Sequence, residues 1–376
     1  MGDIIDALTK PLTAEEKSPR PKEVEKQYGI AFKGSLKEVS RFFYRRGWTD
    51  GFPIVPPTAA EVAEMLTGTD LPPEHVVAKI IPRLGKATVE KIAVNAVMAG
   101  ALPTYLPVLI AGVQALMDPL AMFGTTEVST ASWVPFWIIN GPLRHDLHIN
   151  SGTGALSPGN IANSTIGRAM GLIIKNIGGA RPGVEDMGTY GNSGKYTMVT
   201  AESEEESPWE PLHVEQGINR GDSAVTLSFP TAFLTAGSGF GSDAKGVLRS
   251  ILSIYRGEKM TIMLNAQHAR ALADDGWPKK EIAAFIAEYM TQPASRLETG
   301  FKMREKTYEP LNLGDFVGSQ AKPGKIRLLV AGGPGGLMMR LITGGTNWVT
   351  KKIELPQNWD KLVEKYKDLV PTYVRY

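Results

Sequence analysis

Trp133-Val-Pro-Phe-Trp-Ile-Ile139, then Gly152-Thr-Gly-Ala-Leu-Ser-Pro-Gly159, then a stretch carrying Ile166, Met170, Ile173, Ile174 and Ile177 are the residues that decide the fold class. The first run is short, apolar and rich in branched and aromatic side chains, which predicts a buried strand. The last has helical spacing over 161–177, and Gly178-Gly179 supplies a stop. The same strand, glycine turn and helix order recurs downstream. Strands are expected at 195–200, 224–229, 259–264 and 326–331, with helices at 266–274 and 279–289 and another running from Gly237-Ser-Gly-Phe-Gly-Ser242 to Tyr255. This is an α/β fold: a mostly parallel or mixed sheet with flanking helices. Parallel pairs joined by right-handed crossovers favour ligands at the carboxyl ends of the strands.

Working towards the N-terminus, residues 35–125 read as a mostly helical portion. Leu36, Val39, Phe42 and Phe43 share one helical face, and Thr58-Ala-Ala-Glu61 is a capping box. Between them lies the extended segment Trp48-Thr-Asp-Gly-Phe-Pro-Ile-Val-Pro-Pro57. The apolar stretch 92–120 is interrupted by Asn95, Pro103, Pro107 and Gln114, so two short buried helices are expected rather than a membrane span. The expected organisation is an arm at 1–34, the helical portion at 35–125, an α/β body at 126–350 and a C-terminal tail helix within 351–376. Of possible internal copies, the strand-turn-helix units at 133–177 and 224–256 invite comparison.

The 376 residues carry 41 Lys+Arg against 39 Asp+Glu, a balance that gives no dominant basic field for nucleic acid. No basic segment followed by an apolar core opens the chain, so a cytoplasmic protein is expected, without a membrane partner. With no Cys, the chain by itself forms no disulfide, thiolate nucleophile, zinc ribbon or iron–sulfur cluster.

Three glycine-rich bends are candidate ligand sites. In Asn150-Ser-Gly152-Thr-Gly, unpaired amides before a helix suit a carboxylate or phosphate, and Thr165 and Arg168 in the first turns add donors. Gly332-Gly333-Pro-Gly335-Gly336 follows a strong strand and lets backbone approach a ligand closely. Gly188-Thr-Tyr-Gly-Asn-Ser-Gly-Lys195-Tyr misses the spacing and hydroxyl of a phosphate loop, although Lys195 remains a candidate anion contact. The segment 201–215 holds six carboxylates and His213 with no basic residue. There His213 with Glu205 or Glu215 is the candidate acid–base pair, and the same three residues are the candidate ligands of a divalent metal. His145 and His148 lack a third ligand nearby and read as surface residues.

Asp50-Gly-Phe-Pro-Ile-Val-Pro-Pro-Thr58, Asn140-Gly-Pro, Asn163-Ser-Thr-Ile-Gly-Arg168, Gly178-Gly-Ala-Arg-Pro-Gly183, Glu204-Glu-Glu-Ser-Pro-Trp-Glu-Pro-Leu-His-Val-Glu215, His268-Ala-Arg-Ala-Leu-Ala-Asp-Asp-Gly-Trp277 and Val330-Ala-Gly-Gly-Pro-Gly-Gly336 together span about residues 48–350. The combination resembles a little-characterised bacterial family associated with small Sec-Gly-Ser-Cys ("UGSC") selenoprotein or cysteine domains. The resemblance implies a reductase or lyase assembly, homo- or hetero-oligomeric. In it this chain binds a small anionic or polar organic substrate while a separate thiol or selenol subunit supplies the nucleophile. Two alternatives stand beside it: a stand-alone metal-dependent hydrolase or lyase, and a non-catalytic binding or scaffold subunit.

Overall fold

The computed structural model describes residue 11 and residues 29–237, 240–254, 259–293, 316–318 and 321–369. Most of the arm expected at 1–34 lies outside the described residues. The strands are β1 (Val76–Ile80), β2 (Gly85–Thr88), β3 (Phe136–Asn140), β4 (Val199–Ala201), β5 (Ala224–Ser228), β6 (Ala232–Gly237), β7 (Met260–Leu264), β8 (Thr291–Pro293), β9 (Phe316–Gly318), β10 (Ile326–Val330), β11 (Met338–Thr343) and β12 (Val349–Lys352). β1 with β2 and β8 with β9 form two small antiparallel pairs.

The remaining eight strands make two four-stranded mixed sheets, ordered β12-β5-β3-β4 and β10-β7-β11-β6. In each sheet one pair is parallel, β3 with β4 and β7 with β10, and the other neighbours are antiparallel. Strand alternation explains how the sheets stack. In β3, Trp137 and Ile139 join the core formed with the helices Val89–Ala99, Leu106–Leu116 and Ile161–Ile173. Phe136 and Ile138 point the other way, into a core shared with Met263, Leu329 and Ile342 of the second sheet. The outer face of that second sheet carries Ile262, Leu328 and Leu341 against the helices Ala244–Ile254, Ala266–Asp274 and Lys279–Tyr289. The result is four layers, helix, sheet, sheet, helix, with every residue of β3 and β7 buried.

The two sheets share one topology, in which β3, β4 and β5 correspond to β7, β10 and β11. The likeness expected between 133–177 and 224–256 is not this one, because β5 pairs with β3 inside the same sheet. The fourth strand distinguishes the halves. β6 follows β5 directly but completes the second sheet, whereas β12, near the C-terminus, completes the first. The chain thus closes on itself across both sheets.

The apolar stretch 92–120 forms two buried helices broken at Pro103, as its prolines dictate. Among the described residues no single helix is long and apolar enough to cross a membrane. In the C-terminal portion, the expected tail helix is Trp359–Tyr366, preceded by β12.

Candidate functional site

Because β3 and β4 run parallel, their starts lie at one edge of the first sheet, and antiparallel β5 ends there too. The segments entering and leaving at this edge surround a cavity of about 770 Å³, within the range of small-molecule sites. Trp133 and Pro135 lead into β3, Asn192, Lys195 and Tyr196 lead into β4, and Phe229 leaves β5. The helix Ile161–Ile173 contributes Arg168 and Leu172, and Asp50 comes from the extended segment near the N-terminus.

Glu127 lines this cavity one residue beyond the short helix Phe123–Thr126. It is 7% exposed, and among the described residues neither carboxylate oxygen has a hydrogen-bond partner. Burial raises its pKa most, the negative charges of Asp186 and Glu185 raise it further and Lys195 opposes them, leaving it at about 7. A carboxyl group whose proton affinity is raised to near neutrality therefore lies in the cavity wall, its two oxygens shielded from solvent.

Three cations line the same wall, and they differ in how they are matched. Arg168 is fully engaged: Nε donates to Asp50 Oδ2 at 2.7 Å, and Nη2 donates to Asp50 Oδ1 at 3.0 Å and to the Pro53 carbonyl at 2.7 Å. Lys195 pairs with Asp186. Lys175 instead donates to the backbone carbonyl of Thr49, and burial pulls its ammonium below the usual lysine range while Asp50 partly opposes this. Lys175 projects from Ile174–Gly178, a widened π-type turn where a continuous helix over 161–177 was expected. Such turns are frequent at functional sites.

Arg168 and Lys195 are thus the two sequence-selected residues that reach the cavity. The others gather at the opposite edge of the sheet, where the bends at 150–154 and 332–336 meet, while the third bend, 188–195, lies at the cavity edge. Gly332 N donates to the Ser151 carbonyl at 2.7 Å, and Ser203, just after β4, reaches the carbonyls of both Val330 and Ser151. A Cβ on Gly333 would lie 1.9 Å from Thr153 Oγ1, and one on Gly336 3.1 Å from Ser242 Cβ, so the bends touch one another.

Their donors are committed internally. Gly152 N donates to Asn150 Oδ1, Asn150 Nδ2 to the Thr153 carbonyl, Thr165 Oγ1 to the Ile161 carbonyl, and Gly335 N to Gln267 Oε1. Asn160 caps the helix that was expected to receive an anion, accepting from Asn163 N at 2.9 Å. Asn163 fills the space beneath it by donating to the carbonyls of Asn150, Ala155 and Val199.

His213 is fully buried at this edge on the short helix Leu212–Glu215, 3.9 Å from Glu204 Oε1. Burial holds its pKa below the ordinary histidine value, against the pull of Glu204. Neither expected partner serves it. Glu205 binds Arg144 through two bonds and contacts His145, which drives its pKa down to about 2, and Glu215 pairs with Lys279 at 2.9 Å. Among the described residues no group of three or more His, Asp or Glu side chains is placed to hold a metal ion, so His213, Glu205 and Glu215 do not form the expected ligand set.

Sequence reasoning passed over Glu127, Lys175, Asp50 and Asp186. For Asp50 the signal was present in Trp48-Thr-Asp-Gly-Phe-Pro, an acid inside an aromatic and proline-rich segment. Comparison with protein-family models, with curated proteins and with solved structures finds no match.

Proposed function

We propose that this chain is an enzyme acting on a small anionic or polar organic molecule held in the cavity at the amino edge of β3 and β4, with Glu127 carrying the proton. The observation that supports this reading is one carboxyl group: 7% exposed, without a hydrogen-bond partner among the described residues, in the wall of a cavity of about 770 Å³, and with its pKa raised to about 7. General acid–base groups work best when their pKa lies near the working pH, and a carboxyl group reaches that range only when its surroundings disfavour its charge. Arg168 with Asp50 and Lys195 with Asp186 shape the polar wall, and Phe123, Trp133 and Phe229 form the apolar one. Lyase or isomerase chemistry, in which a proton leaves or joins carbon, suits this arrangement. A reductase or lyase assembly that also uses a thiol or selenol requires a second chain to bring it, since this one has no Cys.

The test does not need the natural substrate. Small carbonyl-containing carboxylates are incubated with the protein in deuterium oxide, and exchange of the C–H next to the carbonyl is followed by NMR. Exchange is expected with wild type and lost with Glu127→Gln, while the variant keeps the wild-type circular dichroism spectrum. Equal exchange in the two proteins, or no exchange above solvent rate in either, overturns the reading. Ligand-induced shifts without exchange would favour the binding subunit instead.

A further inference from the structure

We infer that the cavity takes an organic monoanion, a carboxylate on a flat apolar body, seated on Lys175, and that its binding draws a proton onto Glu127. This rests on the cavity being the substrate site and adds the class of molecule that fills it.

The argument is one of charge. Three cations line the wall, Arg168, Lys175 and Lys195, and two carboxylates are already committed, Asp50 to Arg168 and Asp186 to Lys195. Lys175 is left with a neutral partner, the Thr49 carbonyl, and no ion pair to it occurs among the described residues. With Glu127 protonated the wall therefore carries one uncompensated positive charge, and one ligand carboxylate cancels it. A dianion or phosphate would overshoot.

A desolvated, unmatched ammonium interacts with an incoming anion far more strongly than a solvated one, because the surrounding dielectric is lower. The turn Ile174–Gly178 keeps Lys175 at the wall, which is where a positioning cation is needed. On the same cavity lining, Trp133 and Tyr196 offer ring surface to a flat body, backed by the stacked and buried Phe123 and Phe229.

Glu127 and Lys175 line the same cavity, so a ligand anion seated on Lys175 adds its charge to those already acting on Glu127. Glu127 faces Asp186 and Glu185, which disfavour its ionised form, and Lys195, which favours it. Glu185 is matched by Arg83 and Arg181, and Lys195 by Asp186, so neither spare charge nor spare counterion comes from them. Adding a ligand anion to the cavity disfavours ionised Glu127 further. By linkage, the anion binds the protonated state better and its affinity falls as pH rises.

Calorimetric titration tests this with benzoate and phenylacetate and with the corresponding amides, on wild type, Lys175→Met, Lys175→Arg and Glu127→Gln. The acids are expected to bind wild type at least about tenfold more tightly than the amides. That preference disappears in Lys175→Met and is kept in part by Lys175→Arg, with thermal unfolding confirming that each variant is folded. Between roughly pH 6 and roughly pH 8 the affinity for the acids falls about tenfold in wild type and stays level in Glu127→Gln. Amides that bind as well as acids, an undiminished preference in Lys175→Met, a pH dependence that survives Glu127→Gln, or no binding of any acid at millimolar concentration each overturns the inference. Deuterium exchange that still requires Glu127 while Lys175→Met binds acids normally would sink the monoanion and leave the proposed function standing. Loss of exchange dependence with intact acid preference would do the reverse.

Discussion

Arg168 and Asp50, 118 positions apart, are joined by two parallel hydrogen bonds of 2.7 and 3.0 Å that fasten the extended segment after the first described helix to the helix Ile161–Ile173. Both side chains are more than four-fifths buried, at 19% and 17% exposure, so water does little to replace either partner. The planar guanidinium matches a carboxylate on two atoms at once, and Nη2 also donates to the Pro53 carbonyl while Nη1 donates to the Ala99 carbonyl. The pair is therefore both a wall of the cavity and the clasp of the segment beside it.

Removing the guanidinium tests that double role. Arg168→Ala leaves Asp50 beside Lys175 without its fork, and the expected loss is about 1–3 kcal/mol in urea unfolding. Faster proteolytic cutting within 48–57 should accompany it, because the segment loses its anchor. Arg168→Lys is expected to recover only part of the loss, since an ammonium cannot make the two-point contact. A variant that loses ligand affinity with unchanged stability and unchanged proteolysis would show that Arg168 serves the ligand and not the clasp.

Glu127 gives the protein a pH dependence of known sign. Its folded pKa of about 7 stands above its ordinary value of 4.5, so the folded state holds the proton longer than the unfolded chain does. Below the ordinary value both states are protonated and nothing is lost. As pH rises through the interval the unfolded state ionises first, and stability falls until the folded carboxyl has ionised too. The loss is on the order of 2–3 kcal/mol and is complete above about pH 8. Glu127→Gln lacks this term, so urea unfolding at pH 5 and pH 8 should show the variant gaining on wild type by that amount. A constant difference between the two proteins would mean that the Glu127 carboxyl is not shifted.

How much of this was legible beforehand follows from range. β3 and the helix Ile161–Ile173 could be read because their signals are local: a bounded apolar run, a helical stripe and a Gly178-Gly179 stop. β11 and β12 were passed over because each follows a glycine-rich stretch, and their identity as strands comes from pairing with β6, β7 and β5. The site suffered more. Glu127 sits in a segment that reads as a boundary between the helical portion and the body, and nothing within a turn of it signals burial. Its environment is made by Asp186 and Lys195, some sixty positions on, together with aromatic residues from three other segments. Conversely, the acidic run with His213 is dense in sequence but separates in space, because Arg144 and Lys279 arrive from elsewhere to claim its acids.

Asn140 is the residue whose role at the opposite edge is most exposed to test. Fully buried at the end of β3, it donates Nδ2 to Glu202 Oε2 at 2.6 Å and to Glu204 Oε1 at 3.0 Å, holding two carboxyl groups with one amide. Burial already pushes the Glu202 pKa up against the pull of Lys279. Asn265 holds the equivalent place after β7 and donates to the Gly335 carbonyl, so in both sheets an asparagine amide ties the loop after the parallel neighbour. Asn140→Asp replaces the shared donor by a third acid. The expected loss is about 3 kcal/mol or more at pH 7.5, with partial recovery at pH 5, where a protonated carboxyl can donate in place of the amide. An equal loss at both pH values would mean that packing, not the shared proton donor, is what Asn140 contributes.

The contact between the bends is tested at Gly333. A Cβ there would stand 1.9 Å from Thr153 Oγ1, 2.7 Å from its Cβ and 2.8 Å from its Cα, so relief requires backbone to move and not merely a side chain to rotate. Gly333→Ala is expected to cost roughly 1–3 kcal/mol in urea unfolding, the usual range for forcing a methyl group into filled space. Gly324 has nothing within 4 Å of its hypothetical Cβ, and Gly324→Ala should leave the midpoint nearly unchanged. Thr153→Gly removes the two nearest atoms but leaves the Cα, so the double variant Gly333→Ala with Thr153→Gly should recover part of the loss. Additive effects would mean that the bends at 150–153 and 332–333 do not bear on each other, and the closed edge of the sheet would then be open to ligands after all.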